Sequence, residues 1–347
     1  MRTVRIGVIG AGGISNAHMG GYKQLEGVEV VAVADVVPGK AKEWAERYGV
    51  PNAFEDYREL LAMPEVDGVS VCTYNRAHMP PTVDALRAGK HVLCEKPMAH
   101  SLEDAVAMLK AARETGKILT IGLHSRYSRR QQLAKEIATS GALGAIYYGE
   151  IVSHRRRGIP GGTFINKETA GGGAVIDIGV YSLDTALEIL GHPKPVSVSA
   201  ITMDRIGKSH TPAQGTWRWD PEKFNVDEFG AAWIRFENDS VLLFKTSWAV
   251  HADSLGKSFF LGDKGGLQLD PFEVYRDEFG ALVNITPKLG EDRVDRFKEE
   301  TQQFVTAIRE GRRAPIPAEE VVWTNVIMDG IYRSAAEKRE VAVGLDL

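Results

Sequence analysis

Only two cysteines occur in the chain, Cys72 and Cys94, and each lies in an apolar run, Val69–Thr73 and His91–Cys94. That usage excludes a disulfide scaffold and a cysteine metal cluster, and reads as two buried free thiols in a reducing compartment. No apolar run approaches the ~18 residues that a membrane span requires. Positive charge is not in excess either. Lys and Arg total 42 against 46 Asp and Glu, a net charge of −4, which leaves no electrostatic footprint for nucleic acid or an anionic membrane. The strand-forming run Val4–Ile9 begins almost at Met1, so no room remains for a cleavable signal peptide. Repeats and low-complexity tracts are absent. These absences lead to the expectation of a soluble, cytoplasmic protein without nucleic-acid or membrane partners.

What is present is ordinary globular material, 44% hydrophobic and 25% charged. A length of 347 residues exceeds one typical core and suits two domains. The most informative stretch is the first 35 residues: Val4–Ile9, then Gly10-Ala11-Gly12-Gly13-Ile14-Ser15, then Val28–Ala34 closed by Asp35. A strand, a glycine turn and a helix start aim unpaired backbone N–H groups at one point, where the helix dipole favours an anion. Gly10 permits the tight turn and Gly12 permits close approach of a pyrophosphate; the third fingerprint position is Ser15. Gly13 and Ile14 open the helix. Asp35 ends the next apolar run about 20 residues on, where a carboxylate accepts from a ribose hydroxyl.

The first third alternates strand patterns (Val4–Ile9, Val28–Ala34, Val69–Thr73, His91–Cys94, Ile118–Leu123) with helical ones (Gly13–Leu25, Gly39–Tyr48, Tyr57–Ala62, Met79–Ala88, Leu102–Thr115). Short links and glycine stops predict an α/β, doubly wound parallel sheet over residues 1–123, with ligands outside the carboxyl ends of its strands. From residue 124 to 347 the texture changes. Ile146–Ser153, Pro195–Met203, Phe229–Phe236, Ser240–Ala249 and Ser258–Leu261 have strand composition with few helices between them. That pattern predicts a second α/β domain with a large, mostly antiparallel sheet whose open face suits a partner subunit. Helices are expected over Ser128–Thr139, from Gly171-Gly172-Gly173 to Leu190, over Asp292–Arg309, and over Val321–Lys338.

Three elements carry candidate chemistry. In the helix after the triple glycine, Ile176, Val180, Leu183, Leu187 and Leu190 form the buried stripe, and Asp177, Tyr181, Asp184 and Glu188 line its boundary. Asp177 and Tyr181, one turn apart, are placed to reach into a cleft; equally, a first-turn Asp and a half-buried Tyr are ordinary structure. Glu95-Lys96-Pro97 follows a strand, which sets Lys96 at the cofactor crevice with its backbone biased to extended by Pro97. The bland alternative is a solvated Lys paired with Glu95. Thr73, Asn75 and His78 also lie just past a strand, where short polar groups contact a ribose or an amide, or where His78 simply satisfies a helix start.

These elements occur together and in order, and on them the chain resembles the Gfo/Idh/MocA family of sugar and cyclitol oxidoreductases. The resemblance takes in the Gly10–Ser15 turn with His18, the Thr73/Asn75/His78 loop, and Ala88-Gly89-Lys90-His91-Val92 leading to Glu95-Lys96-Pro97. It continues through Gly171–Gly173 with Asp177, Gly179, Tyr181 and Asp184, then Gly262-Lys264-Gly265-Gly266, and the tail Phe304–Tyr332. It implies a Rossmann domain followed by an α/β domain whose open sheet builds homodimers or homotetramers. It further implies that Lys96 touches the reacting oxygen, that Asp177 positions substrate, and that position 181 shuttles the proton. The commonest family residue there is His; this chain has Tyr181, as some members do. A free phenol titrates near ~10, so as a base Tyr181 needs a cation such as Lys96 beside it.

The reading that follows is an NAD(H)-dependent oxidoreductase acting on a secondary hydroxyl or carbonyl of a monosaccharide, sugar derivative or cyclitol. Asp35 repels a 2′-phosphate, no Arg adjoins it, and Lys40 and Lys42 read as solvated, which favours NAD over NADP. Arg126, Arg157 and Phe164 are the candidate substrate contacts; Trp217 and Trp219 suit stacking on a sugar but also a core. No metal site is expected. Two rivals remain: a glycoside hydrolase recycling tightly bound NAD, and a non-catalytic dinucleotide-binding regulator.

Overall fold

A computed structural model describes residues 2–209, 217–290 and 294–345. The chain divides into two compact units, Met1–Tyr127 with Val294–Val322, and Ser128–Arg293 with Trp323–Leu347.

The first unit holds a parallel sheet of six strands: β1 (Val4–Ile9), β2 (Val28–Ala34), β3 (Asn52–Phe54), β4 (Gly68–Val71), β5 (His91–Glu95) and β6 (Leu119–Gly122). Their order is β3-β2-β1-β4-β5-β6, so the winding reverses between β1 and β4. Val4, Ile6 and Val8 alternate along β1 onto one face and are fully buried. Val8 packs there with Val33, Met19 and Trp44, and Val4 and Ile6 pack with Leu93, Tyr22, Phe304 and Val305. Phe304 and Val305 belong to the helix Arg296–Glu310, capped at its start by Asp295. Asp292, where the sequence pattern starts that helix, lies outside the described residues. β3 went unread in the sequence; three residues beginning with a polar Asn carry no period.

The second unit holds nine strands: β7 (Ile146–His154), β8 (Pro195–Met203), β9 (Phe229–Phe236), β10 (Val241–Ser247), β11 (Phe259–Gly262), β12 (Gly265–Leu269), β13 (Phe272–Glu278), β14 (Ala281–Ile285) and β15 (Val341–Ala342). The order is β14-β13-β12-β11-β7-β10-β9-β8-β15. Among the described residues only the β7–β10 pair of this sheet is parallel. Strand alternation sends Ile151, Val198, Ile234, Leu242, Phe244 and Phe260 to a buried face. The opposite face carries Trp233, Tyr148 and Phe259, whose rings adjoin, beside half-exposed Ile201. β12 to β15 were not foreseen: Glu273, Arg276, Asp277 and Glu278 blur the alternation of β13, and the other three run to five residues or fewer.

The stretch after the triple glycine is not one helix. Ala174–Asp177 and Gly179–Leu190 are separate, parted at Ile178 with φ −105°. Nor do all four polar residues line a boundary. Asp177 and Tyr181 are half-buried, whereas Asp184 and Glu188 are almost wholly enclosed. Glu188 is held by Gln131 Nε2 at 2.7 Å and Lys135 Nζ at 2.8 Å, which makes the ion a structural one.

Candidate active site

In the first unit the site grows from the turn after β1. Gly10 takes φ +97°, and a Cβ there would lie 2.7 Å from the Cys72 carbonyl oxygen, so only glycine fits. Gly12 caps the helix Gly13–Tyr22 with no side-chain hydrogen bond, and no acidic residue occupies the first turn. A Cβ at Gly13 would meet nothing within 4 Å, and at Gly12 only the Cys72 oxygen at 4.0 Å. The chain itself therefore leaves open the space above these N–H groups. That cradle fits a dinucleotide pyrophosphate. Ser15, in the third fingerprint position, is fully buried and donates to Gly12 O at 2.6 Å.

Asp35, the candidate ribose acceptor, lies at the end of β2. Its Oδ2 accepts from Ala11 N at 2.8 Å, and Oδ1 from Val37 N at 3.0 Å, so it also pins the glycine turn. Lys40 Nζ stands 3.1 Å from Oδ2. The sequence reading had Lys40 solvated; the helix Lys40–Tyr48 starts close enough to return its side chain to the acid.

Past β4, Thr73 Oγ1 donates to Ala77 O at 2.9 Å and closes the loop holding half-buried Asn75. His78 is buried, and burial lowers its pKa below the ordinary imidazole value. Its Nδ1 is 2.8 Å from Pro97 O and its Nε2 3.2 Å from Thr73 O. A neutral ring has one N–H, and donated to the nearer Pro97 O it ties the loop ending at His78 to the turn carrying Lys96. Lys96 itself is half-buried at the carboxyl end of β5, and its N–H donates to Glu95 Oε2 at 3.1 Å. Glu95 Oε1 faces His18 Nε2 at 2.9 Å. Burial alone would raise Glu95, but the His18 hydrogen bond and the charges of His18 and Lys96 pull it below the ordinary carboxylate value. Cys72 and Cys94 are free and buried; burial raises both thiols, which keeps them unreactive. Arg126, also in this unit, is 8% exposed and paired with Glu320 at 2.8 Å.

In the second unit, the Gly171–Gly173 loop is clamped from below. Asp227 Oδ1 accepts from Gly173 N at 2.8 Å and from Tyr332 OH at 2.7 Å, and Oδ2 accepts from Val175 N at 3.0 Å. A Cβ on Gly173 would fall 1.7 Å from Asp227 O, so the backbones meet only through glycine. The clamp fixes the start of the helix bearing Asp177. Asp177 Oδ2 accepts from the Trp248 indole at 3.0 Å, and Trp248 is fully buried. One turn on, Tyr181 presents its phenol from the next helix, with Thr185 Oγ1 donating to its carbonyl at 2.8 Å.

The remaining candidates are spread through this unit. Arg157 Nη1 donates to Arg156 O and Val250 O, both at 2.7 Å, and Nη2 meets the His251 ring at 3.1 Å. Arg155 lies over the Trp217 ring at 5.3 Å. Phe164 is exposed on the turn Gly162–Ile165, whose neighbours Gly161 and Asn166 line an open pocket with Arg218, Asp220 and Asn225. Trp219 is core, donating from Nε1 to Gly207 O at 2.8 Å.

The residues that sequence reading missed are Trp248, Asp227, Tyr332 and Glu300. Each stands beside the candidate site or its supports from 50 or more positions away in the chain, and no local motif announces such a neighbour.

Known proteins resemble the chain in sequence and in fold. Residues 4–123 match the model described as oxidoreductase family, NAD-binding Rossmann fold, and residues 131–268 match the GFO/IDH/MocA C-terminal domain. The D-glucoside 3-dehydrogenase of Escherichia coli is 35% identical over 96% of this chain and 95% of its own. The myo-inositol 2-dehydrogenase of Thermotoga maritima is 25% identical over 97% of this chain and 98% of its own. The solved aldose–aldose oxidoreductase of Caulobacter crescentus superposes with a TM-score of 0.79 at 26% identity, covering 98% of this chain and 100% of that one. With both domain models matched in order and a full-length relative at this identity, the chain belongs to the GFO/IDH/MocA family of NAD-binding oxidoreductases.

Proposed function

We propose that the protein is an NAD-dependent dehydrogenase that interconverts a secondary ring hydroxyl and its ketone on a glucoside, another sugar derivative or a cyclitol. The observation that carries it is Lys96 at the carboxyl end of β5, its turn tied to the loop ending at His78 and by Glu95 to the core, in a unit with an open pyrophosphate cradle. The names of the relatives, D-glucoside 3-dehydrogenase and myo-inositol 2-dehydrogenase, support the substrate class.

Bound NAD supplies the hydride acceptor. Gly12, Gly13 and Ile14 would hold its pyrophosphate, Asp35 its adenosine ribose, and Thr73 and Asn75 the nicotinamide half. The Lys96 ammonium donates to the substrate oxygen and stabilises negative charge on it. Tyr181 takes the hydroxyl proton in oxidation and returns it in reduction. Asp177, held by Trp248, accepts from a neighbouring hydroxyl and fixes the ring orientation. NAD is preferred over NADP because Asp35 repels a 2′-phosphate.

We also propose that the open sheet face around Trp233, Tyr148, Phe259 and Ile201 joins copies of this chain into a dimer or tetramer. Light scattering on the purified protein and on W233E tests it, with a monomeric wild type counting against it.

The functional test is a panel of glucosides, free sugars, sugar acids and cyclitols with NAD+, followed by nicotinamide absorbance. Reduction with one class establishes the dehydrogenase and names its substrate. Silence across the panel, with nicotinamide recovered from the denatured protein and net hydrolysis of a glycoside, replaces this reading with NAD-recycling hydrolysis.

A further inference from the structure

Behind the Glu95–Lys96 turn lies a chain of buried polar groups that the proposed reaction does not touch. Tyr22 OH is 2.8 Å from Ser70 Oγ, and Ser70 Oγ is 3.1 Å from His18 Nδ1. His18 Nε2 is 2.9 Å from Glu95 Oε1, and Glu95 Oε2 accepts from Lys96 N at 3.1 Å. A carboxylate only accepts, so Nε2 carries a proton and donates it to Glu95. The series ends on the backbone of the residue assigned to polarise substrate.

A second carboxyl adjoins this series. Glu300, on the helix Arg296–Glu310, is 1% exposed, and neither of its oxygens has a hydrogen-bond partner. Its Oε2 is 4.0 Å from the same His18 Nε2. The His18, Glu95 and Glu300 donor atoms all lie within 4.8 Å of one another. Two carboxylates that close in a dry interior do not both ionise. Glu95 holds the charge, since it has the donors. Burial first, and the Glu95 charge second, push Glu300 well above the ordinary carboxylate range. The other titratable groups around it are Tyr22 on the helix Gly13–Tyr22 and Cys72 after β4, with His124 after β6, Lys96 and Arg296 at the edge of the cluster.

We propose that Glu300 is a positioning residue for Lys96, acting through His18 and Glu95. As a neutral carboxyl it leaves the Nε2 proton of His18 to Glu95; ionised, it competes for that proton and releases the Glu95–Lys96 turn. The inference rests on the reading of Lys96 as the group that polarises the substrate oxygen.

The test uses wild type, E300Q, E300A and K96M as full chains. Infrared spectra at neutral pH should show a protonated-carboxyl band that E300Q lacks. E300A, which leaves a cavity beside the His18 ring and lets it move off Glu95, should cut kcat about tenfold, and E300Q, which keeps the volume and mimics the neutral carboxyl, should restore it. Turnover limited by one ionisation falls about tenfold per pH unit beyond its midpoint. The E300Q-to-wild-type ratio of kcat should therefore rise with that slope at alkaline pH. A missing band, a ratio flat with pH, an E300Q protein that does not fold, or an equimolar divalent metal in the purified protein would each overturn the proposal. If instead K96M turns over normally while the band is present, the Lys96 reading fails and the buried proton stands.

Discussion

The indole N–H of Trp248 donates to Asp177 Oδ2 at 3.0 Å from a fully buried position, on the chain just past β10. The bond fixes one oxygen of a half-buried carboxylate. W248F removes the donor while keeping an aromatic ring in the core. Losing a hydrogen bond to a charged group costs about 1.5–3 kcal/mol. The kcat/KM for the sugar should fall by roughly tenfold or more, while the NAD dissociation constant, set in the first unit, stays unchanged. Calorimetric titration of NAD alongside steady-state kinetics separates the two. Equal losses in both would show that the substitution had damaged the fold instead.

K96M and Y181F should each lower kcat by about two to four orders of magnitude, the usual weight of one acid–base or electrostatic group. Dinucleotide affinity should change by no more than a few-fold. Rapid-mixing absorbance with saturating substrate reads the chemical step directly. Y181F at near-normal rate would move the proton transfer to another group.

Much of this was legible in the sequence for a physical reason. The phosphate cradle is a local device, strand, glycine turn and helix within a few residues, so its period and punctuation are visible in one window. The same holds for Lys96, which inherits its position from the end of a five-residue apolar strand. The clamp on the second glycine loop was not legible. Asp227 reaches Gly173 across 54 positions and Tyr332 across 105, and Asp227 carries no motif of its own. Lys40 was misread because helical spacing shows which face a residue takes and not where its long side chain returns. Asp184 and Glu188 were misplaced because the sheet and the helix Arg129–Thr139 together enclose more than one stripe of their helix.

In the proposed reading cofactor choice turns on Asp35 and its neighbour Lys40, which stand 3.1 Å apart: the acid would disfavour a 2′-phosphate, and the ammonium would soften that repulsion. D35S should therefore lower kcat/KM for NAD+ by at least tenfold and raise it for NADP+. K40M should sharpen the preference for NAD+, by about threefold to tenfold. Kinetics with both cofactors at low ionic strength checks this, since the effect on a half-exposed lysine is screened by salt. A K40M variant with an unchanged ratio would place Lys40 outside the contest.

The two buried carboxyls give stability opposite dependences on pH, in separate windows. Glu300 titrates above its unfolded value of 4.5, so the folded state keeps a proton that the unfolded chain has lost. Its stabilisation is complete below that value and drains away as pH rises through the folded pKa. Glu95 titrates below the same unfolded value; its contribution is present above it and is lost as pH falls through the folded pKa. Each slope is at most about 1.4 kcal/mol per pH unit. At about 2.1 cal/mol/K of unfolding entropy per residue, that corresponds to roughly 2 °C in midpoint for this chain. E300Q cannot lose a proton, so its Tm should gain on wild type steadily from pH 5 upward. E95Q should instead lie below wild type at neutral pH and close the gap on acidification. Thermal scans of the three proteins from pH 4 to pH 9 decide the matter. Parallel curves for wild type and E300Q would mean that Glu300 is already ionised at neutral pH, with its charge balanced by His18.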